Sequence, residues 1–394
     1  MSERLIAFMI SATFAIIAHA SHAYDGVVEK KKFTLPSYVT VGGQTIKDVK
    51  IGWESYGSLN ADKSNAILVT HYFSGTSHAA GKYKADDKAA GYWDAIIGPG
   101  KPLDTDRYFI LSSDTLINLN AKDPNVITTG PATIDPSTGK PYGRSFPLVT
   151  IRDFVNVQKA LLDSLGISKL HAVMGASMGA AQAYEWASSY PGLVGKVIPV
   201  IAAGEADGWA IALLHMWGAP ILLDPNWNDG DYYGKAEPVA GLSTALAMVT
   251  LNAQHWTWTN SSAFGRTWAV MGKDPASCLL ECRYAIEATL DNAGKSRAAT
   301  SDANHFLYLV KTNQIFVAGG TLADGLKKID APVLLVTSDD DLIFPPDAVN
   351  QTAQMIKSDG TPVEQVKIKG GHGHLDGVFA IEQAGQRIGE FLGK

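Results

Sequence analysis

The residues with the clearest chemical potential are a serine, a run of three aspartates and a pair of histidines, which follow one another in that order along the chain. Ser177 is the centre of a Gly-x-Ser-x-Gly pentapeptide, residues 175–179, where an apolar run passes into a stretch of small residues. A serine on a sharp strand-to-helix turn has a strained backbone, which exposes its Oγ to a substrate carbonyl. We therefore predict that Ser177 is a nucleophile, and a glycine-rich turn kept for packing alone is the alternative.

A nucleophilic serine needs an acid, and three candidates follow it in the sequence. The apolar segment 332–337 runs through Ser338 into Asp339, Asp340 and Asp341. The C-terminal end of a buried strand is where an open α/β sheet carries its chemistry. We favour Asp341, because the apolar residues directly after it would fix the loop, while Asp339 and Asp340 remain alternatives.

A histidine that can take the serine proton is expected on the loop after the last predicted strand, 363–369. This glycine-rich loop carries His372 and His374, and either can reach a serine from a distant part of the chain. The pair could instead bind a metal, but a closed zinc site needs more ligands than this loop supplies. We predict no metal and no cofactor, because serine, histidine and aspartate chemistry needs neither.

The elements that must position these residues follow a regular order. Strand-like segments alternate with helical patterns, which predicts an α/β fold with a mostly parallel sheet and helices on both faces. The predicted strands are 66–71, 107–112, 169–174, 195–203, 332–337 and 363–369. The strand rhythm stops in a block rich in helix formers and aromatics. We therefore predict a core of residues 24–204 and 327–394 and a helical lid insertion of residues 205–326.

The aromatic residues of this block bear on the substrate. Most are expected to form the core of the lid, and some should face the acyl pocket. We place Trp209 and Trp217 in that pocket, together with Tyr72 from the loop after the first predicted strand. A pocket with aromatic walls and few fixed charges suits an uncharged or bulky ester, so the expected partner is a small-molecule acyl ester.

The two cysteines, Cys278 and Cys282, lie four residues apart in the lid block. On one helix they would share a face at a Cα separation that a disulfide tolerates. An exported chain would favour the bridge, but so short a loop gains little entropic stabilisation, so two reduced buried thiols are the alternative. We assign them no catalytic role.

The sequence of the N-terminal segment predicts that the protein is exported. Residues 5–18 are mostly apolar and are followed by two small-x-small patterns, which together indicate a secretory signal peptide, residues 1–23. The run is short for a membrane span, although an uncleaved anchor is an alternative. We expect a periplasmic or secreted protein without stable membrane association. The net charge is −6, so the chain has no excess of basic residues, and nucleic acid is not an expected partner.

Several long segments carry further information, in order along the chain. They are residues 65–81, 97–109 and 130–143, with shorter ones at 224–227, 301–304 and 344–346. Together they resemble the homoserine O-acetyltransferase family of α/β-hydrolase-fold enzymes, and the likeness runs from about Val49 to Gly389. The family resemblance implies the α/β-hydrolase fold, an acyl-serine mechanism and a homodimer formed through the lid.

The resemblance also selects residues. The family's acid lies four residues before the first of two prolines, and counting from Pro345 gives Asp341. Its histidine lies six residues after a strand isoleucine, and counting from Ile368 gives His374. It further implies an oxyanion hole formed by the backbone N–H groups of Met178 and Phe73. His71 and His78 flank the second donor, and a histidine beside such a turn is more often a packed or capping residue than a catalytic one.

One departure from the family bears on the reaction. The family's acetyltransferases commonly carry an arginine that binds the homoserine carboxylate, and the matching position here is Gly218, which cannot replace a guanidinium. Arg266 or another distant residue would have to compensate. We therefore predict an exported serine hydrolase that cleaves a carboxylic ester. An O-acyltransferase is the first alternative, and a catalytically silent binding protein is the second.

Overall fold

The computed structural model describes residues 24–393, so the predicted signal peptide lies outside the described residues. The chain forms ten strands in this part. They are β1 (Lys31–Val39), β2 (Thr45–Tyr56), β3 (Ala66–Thr70), β4 (Ile97–Gly98), β5 (Leu103–Asp104), β6 (Phe109–Ser113), β7 (Ala172–Ala176), β8 (Val197–Val200), β9 (Val333–Ser338) and β10 (Val363–Ile368). Each of the six predicted strands has a counterpart among them.

Eight of the strands form one sheet, in the order β1-β2-β6-β3-β7-β8-β9-β10, while β4 and β5 pair separately. From β6 to β10 every pairing is parallel, whereas β1 pairs antiparallel with β2, and β2 antiparallel with β6. Strands β3, β7, β8 and β9 are buried along their whole length, which is typical of parallel strands covered on both faces.

Eleven α-helices are present among the described residues. They are α1 (Ile151–Ser164), α2 (Met178–Ser189), α3 (Gly208–Leu223), α4 (Val239–Ala253), α5 (Trp256–Thr259), α6 (Ala285–Ala298), α7 (Ala303–Gln314), α8 (Leu322–Lys327), α9 (Pro346–Ser358), α10 (Asp376–Phe379) and α11 (Gly385–Gly393). Short 3-10 helices occur at Gly143–Ser145, Pro225–Gly230, Pro275–Ser277, Gly373–Leu375 and Ile381–Ala384. Within residues 24–393 no helix combines the length and apolar character needed to cross a membrane.

The chain between β8 and β9 is helical and contains α3 to α8. In this region α4 packs against both α3 and α6, and α3 also packs against α7. Cys278 and Cys282 form a disulfide with a Cα separation of 5.4 Å. The two cysteines do not share a helix, since the bridge closes an irregular segment that follows the 3-10 turn Pro275–Ser277 and precedes α6.

Candidate active site

Ser177 lies between β7 and α2, on the turn that the pentapeptide predicts. Its backbone has φ 57° and ψ −119°, in the left-handed half of conformational space that non-glycine residues seldom adopt. Burial of β7 and α2 on either side holds the turn in place. The strain therefore holds the side chain at the end of the strand instead of letting it fold back along the helix.

The two glycines of the pentapeptide are required because strand and helix almost touch beside β3. A Cβ on Gly179 would lie 2.2 Å from the Thr70 carbonyl oxygen, and one on Gly175 would lie 2.1 Å from Thr70 Oγ1. Thr70 also donates its hydroxyl to the Gly179 carbonyl at 2.8 Å. Any side chain at either glycine would push α2 away from the sheet.

Ser177, His374 and Asp341 form one chain of hydrogen bonds. His374 Nδ1 lies 2.8 Å from Asp341 Oδ2, and His374 Nε2 lies 2.8 Å from Ser177 Oγ. An ionised carboxylate only accepts, so Nδ1 carries the proton and Nε2 accepts from the serine hydroxyl. All three residues are buried. The imidazole is thus in the tautomer and orientation in which Nε2 can take the Ser177 proton.

The loop after β9 distinguishes the three aspartates. Asp341 Oδ1 accepts the backbone N–H groups of Ile343 and Phe344 at 2.8 and 3.0 Å, which leaves Oδ2 for the histidine. Asp339 is exposed and pairs with Lys367 at 2.9 Å. Asp340 makes no hydrogen bond to His374 among the described residues. Of the two apolar residues directly after Asp341, Ile343 is buried beside the loop as expected, whereas Leu342 is exposed.

Met178 and Phe73, the two predicted N–H donors, line the same cavity as Ser177. Met178 is the first residue of α2, where the N–H has no acceptor within the helix. Phe73 follows β3, and within residues 24–393 its N–H donates to no protein acceptor. Its ring is fixed by edge-on packing against Trp217 and Phe306, at centroid distances of 5.6 and 5.4 Å.

His71 and His78 stabilise the loop of Phe73 from behind. His71 is buried and donates from Nδ1 to the Tyr72 carbonyl at 2.8 Å, while its Nε2 accepts from Asn118 at 3.2 Å. Burial lowers the pKa of His71, so the ring is neutral, as this pattern requires. His78 bonds instead to Glu54 at 3.0 Å. Neither histidine lines the cavity, in keeping with the packed role that the sequence favours.

Glu54 organises a buried ionic cluster beneath this loop. It accepts from Lys30 at 2.9 Å, from Tyr83 at 2.7 Å and from Ser77 at 3.1 Å, and it bonds to His78. Burial opposes ionisation of Glu54, but the hydrogen bond from His78 and the charge of Lys30 outweigh it and lower the pKa to about 2. The carboxylate therefore stays charged and holds the loop that carries Phe73.

A cavity of about 350 Å³ opens above Ser177 and His374. Its walls are mostly apolar and come from the lid and from the loops after β3 and β9. Of the three predicted pocket residues, Tyr72 and Trp217 line this cavity. Trp209 does not, since its side chain is half exposed and donates its indole N–H to the Leu342 carbonyl at 2.9 Å.

Two residues beside the site were not predicted from the sequence. Asp376 is fully buried and accepts the His372 N–H at 3.0 Å and the Ser338 hydroxyl at 3.2 Å, so it ties the histidine loop to the end of β9. Arg297 of α6 lines the cavity. The position of Asp376, two residues after His374, was a signal in the sequence. Nothing in the sequence distinguishes Arg297 from the other lysines and arginines of the lid.

His372, the alternative histidine, points elsewhere and bonds through Nδ1 to Gln254 at 3.1 Å. Arg266, named as a possible compensating cation, donates to the Tyr284 hydroxyl in an exposed part of the lid. Among the described residues no group of three or more histidine, cysteine, aspartate or glutamate side chains is arranged to hold a metal ion.

Comparisons with known proteins agree with this architecture. The family model described as "alpha/beta hydrolase fold" matches residues 102–379. The homoserine O-acetyltransferase of Methanosalsum zhilinae is 38% identical over 374 residues, which cover 93% of this chain and 73% of the relative. The chain belongs to the homoserine O-acetyltransferase family of α/β-hydrolase-fold enzymes. The predicted fold and family are both confirmed.

Solved structures of this family include proteins with two different names. A crystal structure of esterase E22 is 50% identical, with a TM-score of 0.89, and the match covers 93% of this chain and all of that one. The homoserine O-acetyltransferase from Bacillus anthracis is 35% identical, with a TM-score of 0.88, over 93% of this chain and 98% of that one. The chain is therefore an enzyme of the hydrolase or acyltransferase type.

Proposed function

We propose that this enzyme transfers an acyl group from an ester donor to an oxygen nucleophile through an acyl-serine at Ser177. The observation that carries the proposal is the continuous hydrogen-bonded chain from Ser177 through His374 to Asp341, beside two N–H groups without protein acceptors. This arrangement supports one role of acyl transfer for each group: Ser177 as nucleophile, His374 as base, Asp341 as orienting acid, and the two N–H groups as oxyanion donors.

The first half-reaction follows from this geometry. His374 Nε2 takes the Ser177 proton as Oγ bonds to the carbonyl carbon of the donor, and the carbonyl oxygen becomes negative. The N–H groups of Phe73 and Met178 stabilise that charge. The intermediate then expels the alcohol, which takes the proton from His374, and the acyl group stays on Ser177. Asp341 orients the ring throughout and stabilises the imidazolium.

The second half-reaction decides between a transferase and a hydrolase. An alcohol that attacks the acyl-serine gives a new ester, whereas water gives a free acid. The export signal and Gly218 favour water as the acceptor, but the curated relatives that match along nearly the whole chain are named as acetyltransferases. Their names support the acyltransferase alternative better, so an alcohol is our first proposal for the acceptor.

Ester hydrolysis is the second candidate, and two observations favour it. The 50%-identical solved structure carries the name esterase. Gly218 stands where the family resemblance expects a carboxylate-binding arginine, and a Cβ built there would lie 3.2 Å from Leu307. Helix α3 contains no lysine or arginine, so it offers no permanent positive charge to the carboxylate of an amino-acid acceptor.

The two candidates are separated by the fate of the acyl group. The purified enzyme is supplied with p-nitrophenyl acetate, with and without homoserine, and both acetate and O-acetylhomoserine are quantified. Formation of O-acetylhomoserine in excess of acetate supports the transferase, and acetate release that homoserine leaves unchanged supports the hydrolase. Turnover that survives Ser177→Ala would overturn the shared proposal.

We also propose that the protein is exported, on the basis of the signal-peptide pattern in residues 1–23. The test is N-terminal sequencing of the protein from separate cell fractions. A mature N-terminus near residue 24 in an exported fraction supports the proposal, and a full-length cytoplasmic protein contradicts it.

A further inference from the structure

The cavity contains one permanent charge. Among its described lining residues there is no aspartate or glutamate, and Arg297 is the only lysine or arginine. Arg297 lies in the last turn of α6, and the remaining walls are mostly apolar or uncharged. Arg297 is partly buried, and a cation in a mostly apolar wall is destabilised when it has no counter-ion, so its lack of an acidic partner calls for an explanation.

Contacts with the protein use only part of the guanidinium. Nη1 donates to Thr250 Oγ1 at 2.9 Å and to the Leu246 carbonyl at 3.3 Å. Arg297 takes part in no ion pair within residues 24–393, and no hydrogen bond there uses its Nε or Nη2. A guanidinium has five N–H donors, so three are left for a ligand. Burial lowers the pKa of Arg297, but arginine remains protonated at physiological pH.

Arg297 and Ser177 line the same cavity. Thr250, the hydrogen-bond partner of Arg297 in the last turn of α4, lines it as well, and Gln254, the residue that follows α4, bonds to His372 of the histidine loop. Tyr72 and Phe73 line the same cavity from the loop after β3. A substrate that occupies this cavity at Ser177 can therefore contact Arg297.

We propose that Arg297 binds a carboxylate carried by the substrate, an inference that rests on the acyl-transfer function proposed above. A planar guanidinium matches a carboxylate in a paired, bidentate geometry. The carboxylate belongs either to the acyl part or to the alcohol part of the substrate. In both cases it supplies the counter-ion that the cavity lacks, so the enzyme selects anionic substrates over neutral ones of the same shape.

The test compares esters that differ only in charge. For the alcohol side, 4-carboxyphenyl acetate is paired with 4-carbamoylphenyl acetate. For the acyl side, monophenyl glutarate is paired with the phenyl ester of glutaramic acid. The value measured is the ratio of kcat/KM for the charged ester to that for its neutral partner, in the wild-type enzyme, Arg297→Met and Arg297→Lys. Lys295→Met, on the exposed part of the same helix, is the matched control.

We expect the wild-type ratio to exceed tenfold for one pair, and that pair identifies the side that carries the carboxylate. Arg297→Met should lower this ratio about ten- to a hundredfold, as for loss of a charged hydrogen bond. Arg297→Lys should retain part of the preference for the charged ester, and Lys295→Met should retain all of it. Ratios near one for both pairs in the wild type overturn the inference. Equal losses for charged and neutral esters in Arg297→Met also overturn it, since Arg297 would then only join α6 to α4.

A binding measurement separates this inference from the proposed function. Calorimetry measures the binding of glutarate and 4-hydroxybenzoate to Ser177→Ala and to Ser177→Ala with Arg297→Met. Binding that needs Arg297 supports the carboxylate site even if no ester is turned over, which would contradict the proposed function alone. Turnover of neutral esters, with no binding of either anion and no charge preference, contradicts the inference alone.

Discussion

Asp341 and Asp340 are adjacent aspartates with different surroundings, and they test the assignment of the acid. Asp341 bonds to His374 and is held by two backbone N–H groups, whereas Asp340 makes no bond to the histidine. Asp341→Asn is expected to lower kcat about a thousandfold or more, because an amide favours the wrong imidazole tautomer. Asp340→Asn should stay within about threefold of wild type. Steady-state kinetics with p-nitrophenyl acetate check both, and the reverse order would mean that the acid is misassigned.

At the residue scale the sequence predicts most of the hydrogen-bonded site. Ser177 and its two glycines follow from the strand-to-helix turn, and the residues after Asp341 predict which aspartate is fixed. Arg297 could not be predicted, because an arginine on a helix usually faces solvent, and Asp376 was missed although its position two residues after His374 was a signal. Only the packing of distant segments shows that they border the site. Trp209 fails for the same reason, since helical spacing alone does not say which tryptophan faces the cavity.

At the element scale the contact between α2 and β3 limits which residues the elbow can hold. A Cβ at position 179 would lie 2.2 Å from the Thr70 carbonyl oxygen, and neither backbone can move without opening the sheet. Gly179→Ala should lower the free energy of unfolding by at least about 2 kcal/mol. Gly208→Ala is the matched control, because no heavy atom lies within 4 Å of its added Cβ. Urea unfolding of both variants checks this, and equal stability would contradict the close approach.

The disulfide is a second element whose role can be tested. It closes a loop of only four residues in sequence separation, so its entropic contribution is limited to about 2 kcal/mol. The segment between Gln254 and Ala293 supplies no described lining residue of the cavity. The double variant Cys278→Ser, Cys282→Ser should therefore lower Tm slightly and keep ester turnover within about twofold. A tenfold loss of turnover would show that the bridge shapes the active site.

The sequence did not predict β1 and β2 at the antiparallel edge of the sheet, nor the two-residue strands β4 and β5. In β1, partly buried and exposed residues alternate through most of the strand, and β2 also has several exposed residues, so neither has the continuous apolar run that identifies the central strands. β1 pairs only with β2, and β2 joins the sheet through β6, which lies more than fifty residues further along the chain. Such a contact depends on tertiary structure and not on local pattern.

At the scale of the whole molecule, the cluster around Glu54 couples stability to pH. The pKa of Glu54 is about 2 in the folded chain and ordinarily 4.5, so its ionisation contributes roughly 3 kcal/mol at neutral pH. Because the folded value is the lower one, this stability is present above pH 4.5 and is lost as the pH falls towards 2. Glu54→Gln should therefore have a lower free energy of unfolding than wild type at pH 7, and this free energy should fall less on acidification.

Urea unfolding at pH 7 and at about pH 3 measures this coupling. The exposed Glu29→Gln variant is the control and should lose stability on acidification as the wild type does. If Glu54→Gln and wild type lose the same stability between the two pH values, Glu54 does not carry the acid sensitivity.

Passage of the acyl group through Ser177 can be observed by mass spectrometry of the enzyme mixed with p-nitrophenyl acetate. We expect an acetyl group on the peptide that contains Ser177, formed as p-nitrophenol is released, and neither adduct nor turnover in Ser177→Ala. Asp340→Asn should form the adduct as wild type does. Turnover without acylation of Ser177, or acylation of another residue that accounts for turnover, would show that Ser177 is not the nucleophile.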